Sequence, residues 1–184
     1  MRKHILIPLA ILLLNGCTKQ AIQATYDKQE ETIDKLVESL VSKDEGATVE
    51  YLDGAVRIRF SDSTSTDSDT PLEKGGKVSF YYGGFTVTST SLSYSNMFAT
   101  NLQQLATSAG WKDVDESIFQ EETVTVGKGE LVPGLEKGLI GVKKGDDCII
   151  VFSGKYGWGN HARGTVPARS ALAYQIWVTD VTNK

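Results

Sequence analysis

The stretch GELVPGLEKGL, residues 129–139, decides how the fold of this chain is interpreted. Apolar side chains alternate there with glycines and one proline, and the pattern predicts a short helical turn around Leu135–Gly138. The segment VKKGD at 142–146 comes next and leads into the apolar run CIIVF at 148–152, which predicts a strand over 146–152. We therefore expect a short helix that is followed directly by a strand.

Five further segments flank this centre in a fixed order. The chain reads VSFYYG at 78–83, FATN at 98–101, YGWG at 156–159, GTVP at 164–167 and LAYQI at 172–176. In this order, and together with residues 129–146, these segments resemble the FKBP-type peptidyl-prolyl isomerase family. The resemblance runs from about Glu73 to Val181. No single motif carries the resemblance. It depends on all the segments following one another in the same order as the motifs of the family.

The resemblance implies an α+β fold in which a strongly bent antiparallel β-sheet wraps around a short helix. This FKBP-like domain is assigned to residues 73–184, and an N-terminal helix and hairpin are expected to precede it. A further short helix is expected near 102–109, after the cap candidate Asn101. The apolar pattern predicts additional strands at 77–88, 122–127 and 171–181.

Carried over position by position, the family's apolar cleft would be formed by nine residues of this chain. The resemblance implies a catalytic group of Tyr81, Phe98, Val132, Trp158 and Tyr174. It implies a substrate-binding group of Val124, Leu131, Leu135 and Val166. The backbone N–H of Val132 would bind a substrate carbonyl, and the indole N–H of Trp158 would replace a tyrosine hydroxyl of the family as a donor. The alternative, that these are core residues of a β-sheet domain, stays open, above all for Tyr81 and Val124.

Several positions depart from the family pattern. Ala99 stands in place of an aspartate at the rim of the cleft, and Leu135 in place of a tryptophan at its floor. Ala168 replaces a second proline, and Glu122 stands where an aromatic residue is common. The segment 102–121, which includes Trp111, is longer than the corresponding region and would either cover the cleft or extend it. These departures concern activity more than fold.

The first residues are typical of an export signal. Two basic residues precede the apolar run 5–14, which is too short to span a bilayer as a mature helix. The sequence LNGC at 14–17 resembles a bacterial lipobox, so residues 1–16 are predicted to be removed and Cys17 to be lipidated. Two or three acyl chains form a stable membrane anchor. The alternative is an ordinary signal peptide with an incidental cysteine.

Three parts are predicted between the lipidated cysteine and the main domain. Residues 17–25 are expected to form a polar tether, and residues 26–72 a helix, a hairpin and a loop. Helical spacing at 26–43 predicts an amphipathic helix, which either acts as a spacer or packs on its own domain. Alternating residues at 49–60 around an Asp-Gly turn predict the hairpin. The Ser/Thr/Asp run at 61–70 predicts a solvated loop.

Composition excludes several kinds of chemistry. The formal net charge is −4, which gives no general attraction to nucleic acid or to an anionic membrane. Two cysteines and two histidines are too few for a metal site built on several of them, so no metal and no cofactor are expected. His161 lies in a Gly-rich stretch with no nucleophile nearby. Cys148, without a disulfide partner, is expected to be a buried small side chain.

The sequence as a whole favours a lipid-anchored, extracytoplasmic prolyl isomerase that assists the folding of secreted or outer-membrane proteins. Its partners would be proline-containing segments of unfolded or folding proteins, and it would contact a membrane only through its lipid anchor. It would lie in a bacterial cell envelope, facing the periplasm or exposed at the surface. One alternative is a lipoprotein that keeps the fold as a binding module without useful catalysis. Another is a carbohydrate-binding lipoprotein that uses Trp111 and Trp158.

Overall fold

The computed structural model describes the backbone of residues 9–184 and the side chains of residues 19–184. Three α-helices lie in this part of the chain, namely α1 (Leu9–Val41), α2 (Gln103–Ser108) and α3 (Pro133–Leu139). Its β-strands are β1 (Thr48–Leu52), β2 (Ala55–Arg59), β3 (Lys77–Thr86), β4 (Met97–Thr100), β5 (Glu122–Thr125), β6 (Asp147–Phe152) and β7 (Leu172–Thr182). Two 3-10 turns, Tyr94–Asn96 and Glu116–Ile118, precede β4 and β5.

All the described strands belong to one antiparallel sheet. Its order is β1-β2-β6-β7-β3-β4, and β5 pairs with β3 as well. The two longest strands, β3 and β7, pair from Lys77 opposite Thr182 to Thr86 opposite Leu172. The register shifts between Ser79 and Phe80, and such a bulge increases the local bend and twist of a strand. The predicted α+β fold with a bent antiparallel sheet is confirmed.

The predicted elements of the main domain form where the pattern placed them. The strands expected at 77–88, 122–127, 146–152 and 171–181 are β3, β5, β6 and β7, with ends that shift by one or two residues. The helical turn expected around Leu135–Gly138 is α3, and the helix expected near 102–109 is α2. These elements were predictable because alternating apolar residues and turn residues are local signals.

Helix α3 lies against the concave face of the sheet and closes the main core. Leu135 is buried there, whereas Gly134 and Gly138 face the side chains of Phe152 and Ile150 on β6. A Cβ added to Gly134 would overlap with the Phe152 ring, and one added to Gly138 would overlap with Ile150. The two glycines therefore allow the helix backbone to approach β6 more closely than a residue with a side chain would.

Helix α1 packs on the opposite face of the same sheet. Its buried residues Ile33, Leu36 and Val37 belong to a second apolar cluster that includes Ile58 of β2 and Ile149 of β6. This arrangement answers the question that the sequence left open, because the helix packs on its own domain. The same helix also includes residues 17–25, for which the sequence predicts a polar tether.

The residues before the main domain extend the sheet instead of forming a separate unit. The hairpin of β1 and β2 turns at Gly54, which has a φ of +90°, and β2 then pairs with β6. The run 61–70 is an exposed to half-buried loop, as its composition predicts, and hydrogen bonds also tie it to the domain. The Thr64 N–H donates to the Gly145 carbonyl at 2.9 Å, and the Ser65 hydroxyl bonds the buried Asp146 carboxylate. Hydrogen bonds to the 145–147 turn thus replace the apolar contacts that this run lacks.

The buried side chain of Arg57 joins the hairpin to the end of α3. One guanidinium nitrogen donates to the carbonyls of Gly138 at 2.8 Å and Ile140 at 2.7 Å, and the other pairs with Glu50. The last carbonyls of a helix have no partner within the helix, so Arg57 satisfies groups that would otherwise be buried without one. The C-terminal end of α3 is thereby fixed to β2.

We expect Gly138→Ala to destabilise the protein, although alanine favours helix formation over glycine. The added methyl group would overlap with Ile150, and overpacking of a core costs about 1–3 kcal/mol. Urea denaturation of Gly138→Ala, Ile150→Ala and the double variant measures this cost. Because Ile150→Ala removes the colliding atoms, the double variant should lose less stability than the two single losses combined. Additive losses would contradict the close contact.

Candidate active site

A cleft of about 190 Å³ opens between α3 and the concave face of the sheet. Its walls are mainly apolar and aromatic, with two carboxylates at the rim. The lining residues are Phe80, Tyr82, Glu122, Glu130, Leu131, Val132, Leu135, Trp158 and Tyr174. Their elements are β3, β5, the 130–132 segment, α3, a loop after β6, and β7. Residues distant in sequence therefore meet at one place.

Strands β3 and β7 supply the aromatic wall. Side chains of a strand alternate between faces, so Phe80 and Tyr82 share the face that carries the core. The Tyr82 ring lies 6.0 Å from Tyr174 between centroids, and Phe98 stands edge-on to Tyr174 at 5.7 Å. A Cβ at Gly84 would come within 2.8 Å of the Phe98 ring and 3.2 Å of the Tyr174 ring. Glycine at this position leaves room for the two rings to meet.

The segment before α3 lines the cleft beside the floor residue Leu135 and presents a free donor. Val132 is extended, with φ −66° and ψ 146°, and Pro133 begins the helix. The Gly134 N–H donates to the Tyr156 carbonyl at 2.8 Å, which anchors this end of the helix. The Val132 N–H donates no hydrogen bond to a described residue. This N–H is therefore available to a substrate carbonyl, as the resemblance implied.

Trp158 lies at the side of the cleft on the loop between β6 and β7. Its half-buried indole packs edge-on against Phe98, with 5.5 Å between ring centroids. This contact holds the ring next to the cleft. No hydrogen-bond acceptor of the described chain contacts the indole N–H, so this group is a second free donor.

Helix α1 holds the base of this loop through the side chain of Gln29. The Gln29 carbonyl oxygen accepts a hydrogen bond from the Gly154 N–H at 2.9 Å, and its amide nitrogen donates to the Arg169 carbonyl at 2.6 Å. Gly154 and Arg169 stand at the two ends of the loop that carries Trp158. One side chain from the opposite face of the sheet thus ties both ends of the loop together.

Tyr81 is placed differently from the sequence prediction. Its partner across the β3–β7 ladder is Trp177, whereas Tyr82 lies opposite Ile176, a member of the main core. Tyr81 is therefore directed to the other face of the sheet, and Tyr82 lines the cleft in its place. The segment VSFYYG contains two consecutive tyrosines, and a shift of one residue moves a side chain to the opposite face. Alternation from the core residue Val78 would have selected Tyr82.

The other predicted site residues fall into three groups. Val132, Trp158, Tyr174, Leu131 and Leu135 line the cleft. Phe98 does not line the cleft itself but contacts the rings of Trp158 and Tyr174, which do. Val124 and Val166 are buried in the core without lining the cleft. Four lining residues have no predicted role in the cleft, namely Phe80, Tyr82, Glu122 and Glu130. The sequence marks Glu122 only as a departure from the aromatic residue common at its position, and Glu130 carries no signal because exposed acidic residues are common in any loop.

The cleft keeps its tyrosine hydroxyls protonated. Burial, with a smaller effect of the nearby Glu122 charge, raises the pKa of Tyr82. Burial raises the pKa of Tyr174 as well. Histidine, cysteine, lysine and arginine are all absent from the lining residues that the structure describes. The cleft can therefore donate hydrogen bonds and exclude water, but its described lining offers no histidine, cysteine or lysine for acid–base or nucleophilic chemistry.

Comparison with known proteins agrees with this geometry. The family described as FKBP-type peptidyl-prolyl cis-trans isomerase matches residues 68–179, which is more than half of the chain. The chain therefore belongs to the FKBP-type peptidyl-prolyl cis-trans isomerase family. The matched region contains every residue that lines the cleft.

The chain spans less than two thirds of the length of the curated relatives that it matches. The chain is 36% identical to human peptidyl-prolyl cis-trans isomerase FKBP9 over 58 residues, which are 32% of this chain and 10% of the relative. It is 25% identical to FK506-binding protein 5 of Dictyostelium discoideum over 71% of this chain and 7% of that protein. Among solved structures, FkpA from Escherichia coli matches with a TM-score of 0.52 at 16% identity, over 94% of this chain and 70% of that one. These structural likenesses concern the fold.

We expect Gln29→Ala to loosen the loop that carries Trp158. The variant loses two hydrogen bonds at the ends of the loop, and a typical hydrogen bond contributes about 0.5–1.5 kcal/mol. Amide hydrogen exchange of residues 154–169 should become about tenfold faster or more. Gln23→Ala is the matched control, because the Gln23 side chain bonds only Asp27 on its own helix. Equal exchange in the two variants would contradict the role of Gln29.

Proposed function

We propose that this chain is a peptidyl-prolyl cis-trans isomerase that acts on proline-containing segments of unfolded or folding proteins. The observation that carries the proposal is the cleft itself, which joins an apolar aromatic wall to two free donors, the Val132 and Trp158 N–H groups. Membership of the family supports the same activity. The reaction would require neither a metal nor a cofactor.

The cleft suits rotation about an amide bond. The planar amide is stabilised by resonance that separates charge, and rotation faces a barrier of about 18–20 kcal/mol. Water solvates the planar, charge-separated form better than the twisted form, so transfer into an apolar cleft destabilises the planar form more. The Val132 N–H would hold a substrate carbonyl while the proline ring lies against Tyr82, Tyr174 and Leu135. No proton has to be transferred.

We expect the domain to accelerate a refolding step that is limited by proline isomerisation. Trp158→Ala should lower this activity about tenfold or more, because it removes a donor and an aromatic contact that together are worth about 1–3 kcal/mol. Trp158→Phe should retain more activity than Trp158→Ala, since it keeps the packing against Phe98. Unfolding curves of the variants serve as the control that they remain folded under the assay conditions. Unchanged activity in Trp158→Ala would contradict this site.

Two adjacent tyrosines provide a matched control for the same assay. Tyr82→Phe removes a hydroxyl from the cleft and should lower activity, whereas Tyr81→Phe makes the same change on the opposite face and should not. Equal effects would mean that the loss reflects the sheet and not the cleft.

A second candidate function is peptide binding without useful catalysis. Leu135 at the floor and Ala99 near the rim are smaller or less polar than the residues that the family pattern has at these positions. The refolding assay separates the isomerase from the binding module if it includes the double variant Ala99→Asp/Leu135→Trp. Activity in this variant together with none in the natural chain favours the binding module. Absence of both activity and peptide binding in either protein contradicts the assignment of the cleft.

We further propose that the protein works outside the cytoplasm on a lipid anchor at Cys17. The predicted leader 1–16 and Cys17 precede residue 19, where the described side chains begin. None of the described helices is both long and apolar enough to cross a membrane. The support for the proposal is the basic and apolar start followed by LNGC at 14–17.

Cys17→Ser should abolish lipidation and leave the protein unprocessed or released from the membrane. Labelling of cells with a fatty-acid analogue, followed by membrane fractionation, measures both effects. Cys148→Ser is the matched control, because this second cysteine is buried in β6. Equal labelling of Cys17→Ser and the natural chain would contradict the anchor, while the proposed isomerase activity would stand.

A further inference from the structure

A groove of about 530 Å³ adjoins the cleft on the side of β4 and β5. Part of its wall comes from the segment 102–121, whose extra length the family pattern did not explain. The lining residues are Tyr82, Phe98, Ala99, Thr100, Asn101, Trp111, Ser117, Ile118, Gln120, Glu121 and Glu122. The segment thus extends the cleft instead of covering it, which decides between the two alternatives that the sequence left open.

The groove and the cleft form one continuous surface. Tyr82 and Glu122 line both of them. The Phe98 ring, which lines the groove, contacts the rings of Trp158 and Tyr174 beside the cleft. A peptide that places a proline in the cleft therefore has a direct path for its neighbouring residues along the groove.

Hydrogen bonds fix the wall of the groove before any peptide binds. The side-chain oxygen of the buried Asn101 accepts from the Tyr82 N–H at 2.7 Å, and its nitrogen donates to the Gln120 carbonyl at 2.9 Å. The backbone N–H of Trp111 donates to the Ala106 carbonyl at 3.0 Å. Asn101 thus connects the end of the 102–121 segment directly to the strand that lines the cleft. The groove is a preformed surface.

The charge along this surface has one sign. Glu121 and Glu122 line the groove, and Glu122 and Glu130 line the cleft. Lysine and arginine are absent from the described lining of both, and Lys112 is exposed outside it. The Glu130 carboxylate accepts from the Thr125 N–H at 3.1 Å, whereas Glu121 and Glu122 make no ion pair with a described residue.

We propose that the groove binds the residues next to the proline of a substrate and selects a lysine or arginine there. The inference rests on the proposed isomerase function, because it assigns a substrate class to the same site. A long basic side chain fits the surface in two ways. Its alkyl stem can pack on Phe98, Trp111 and Ile118, while its cationic end reaches the carboxylates of Glu121 and Glu122.

A peptide series with a single X–Pro bond tests the selection. The peptides carry lysine, glutamine or glutamate at a single position. This position lies directly before the X–Pro pair in one half of the series and directly after it in the other half. We expect kcat/KM for the lysine peptide to exceed that for the glutamate peptide about fivefold or more, on the side of the proline that reaches the groove. Added salt should reduce the ratio, because the interacting charges are exposed.

Variants of the groove assign the preference to named residues. Glu121→Gln with Glu122→Gln should reduce the lysine-to-glutamate ratio to about one, because both carboxylates lose their charge. Trp111→Ala should weaken binding of the lysine and glutamine peptides together. Glu116→Gln is the matched control for either single substitution, because it removes one charge from an exposed residue that does not line the groove. It should leave the ratio unchanged.

The outcomes separate this inference from the proposed function. If the glutamine peptide is isomerised and the lysine peptide is not preferred, the inference is wrong and the isomerase function stands. An equal fall of the ratio in Glu116→Gln would also overturn it, because the effect would then be one of overall charge.

If no peptide is isomerised, the isomerase function fails. The peptides are then titrated against tryptophan fluorescence. Tighter binding of the lysine peptide, lost in the double glutamine variant, supports the groove, whereas equal affinities overturn it.

Discussion

The close approach of helix α3 to strand β6 fixes the depth of the concave face of the sheet. Gly134 and Gly138 bring the helix backbone against Phe152 and Ile150, where no larger residue fits. The floor of the cleft, at Leu135, is set by the same contact. A helix held farther from the sheet would widen the gap between Leu135 and the aromatic wall of β3 and β7, so the two glycines help to set the width of the cleft.

Hydrogen bonds at the ends of this helix convert a packing contact into a defined site. Arg57 satisfies the carbonyls at the C-terminal end, and the Tyr156 carbonyl accepts from the Gly134 N–H at the other end. The Val132 N–H, directly before the helix, is oriented by these bonds and left free. On the other side of the cleft, Gln29 holds the loop that carries Trp158. Both free donors are thus positioned by contacts distant in sequence.

The chemistry of the site divides between a neutral centre and an acidic border. At the centre, burial keeps Tyr82 and Tyr174 protonated, and apolar walls exclude water from the bond that would rotate. Carboxylates stand only at the rim and along the groove, where water screens them and where they can recognise a charged neighbour. The proposed amide rotation would need a dry cleft and few donors, so the proposed recognition by charge would not disturb it.

The sequence by itself determined the elements of the main domain and the membership of the family, because alternating apolar residues, turn residues and the order of motifs are local signals. Only the tertiary structure decided which of two consecutive tyrosines lines the cleft, because the face of a strand depends on its register with β7. It also decided that α1 packs on the sheet and that residues 102–121 form a groove. Those outcomes depend on contacts such as Asn101 with Gln120, whose partners no local pattern identifies.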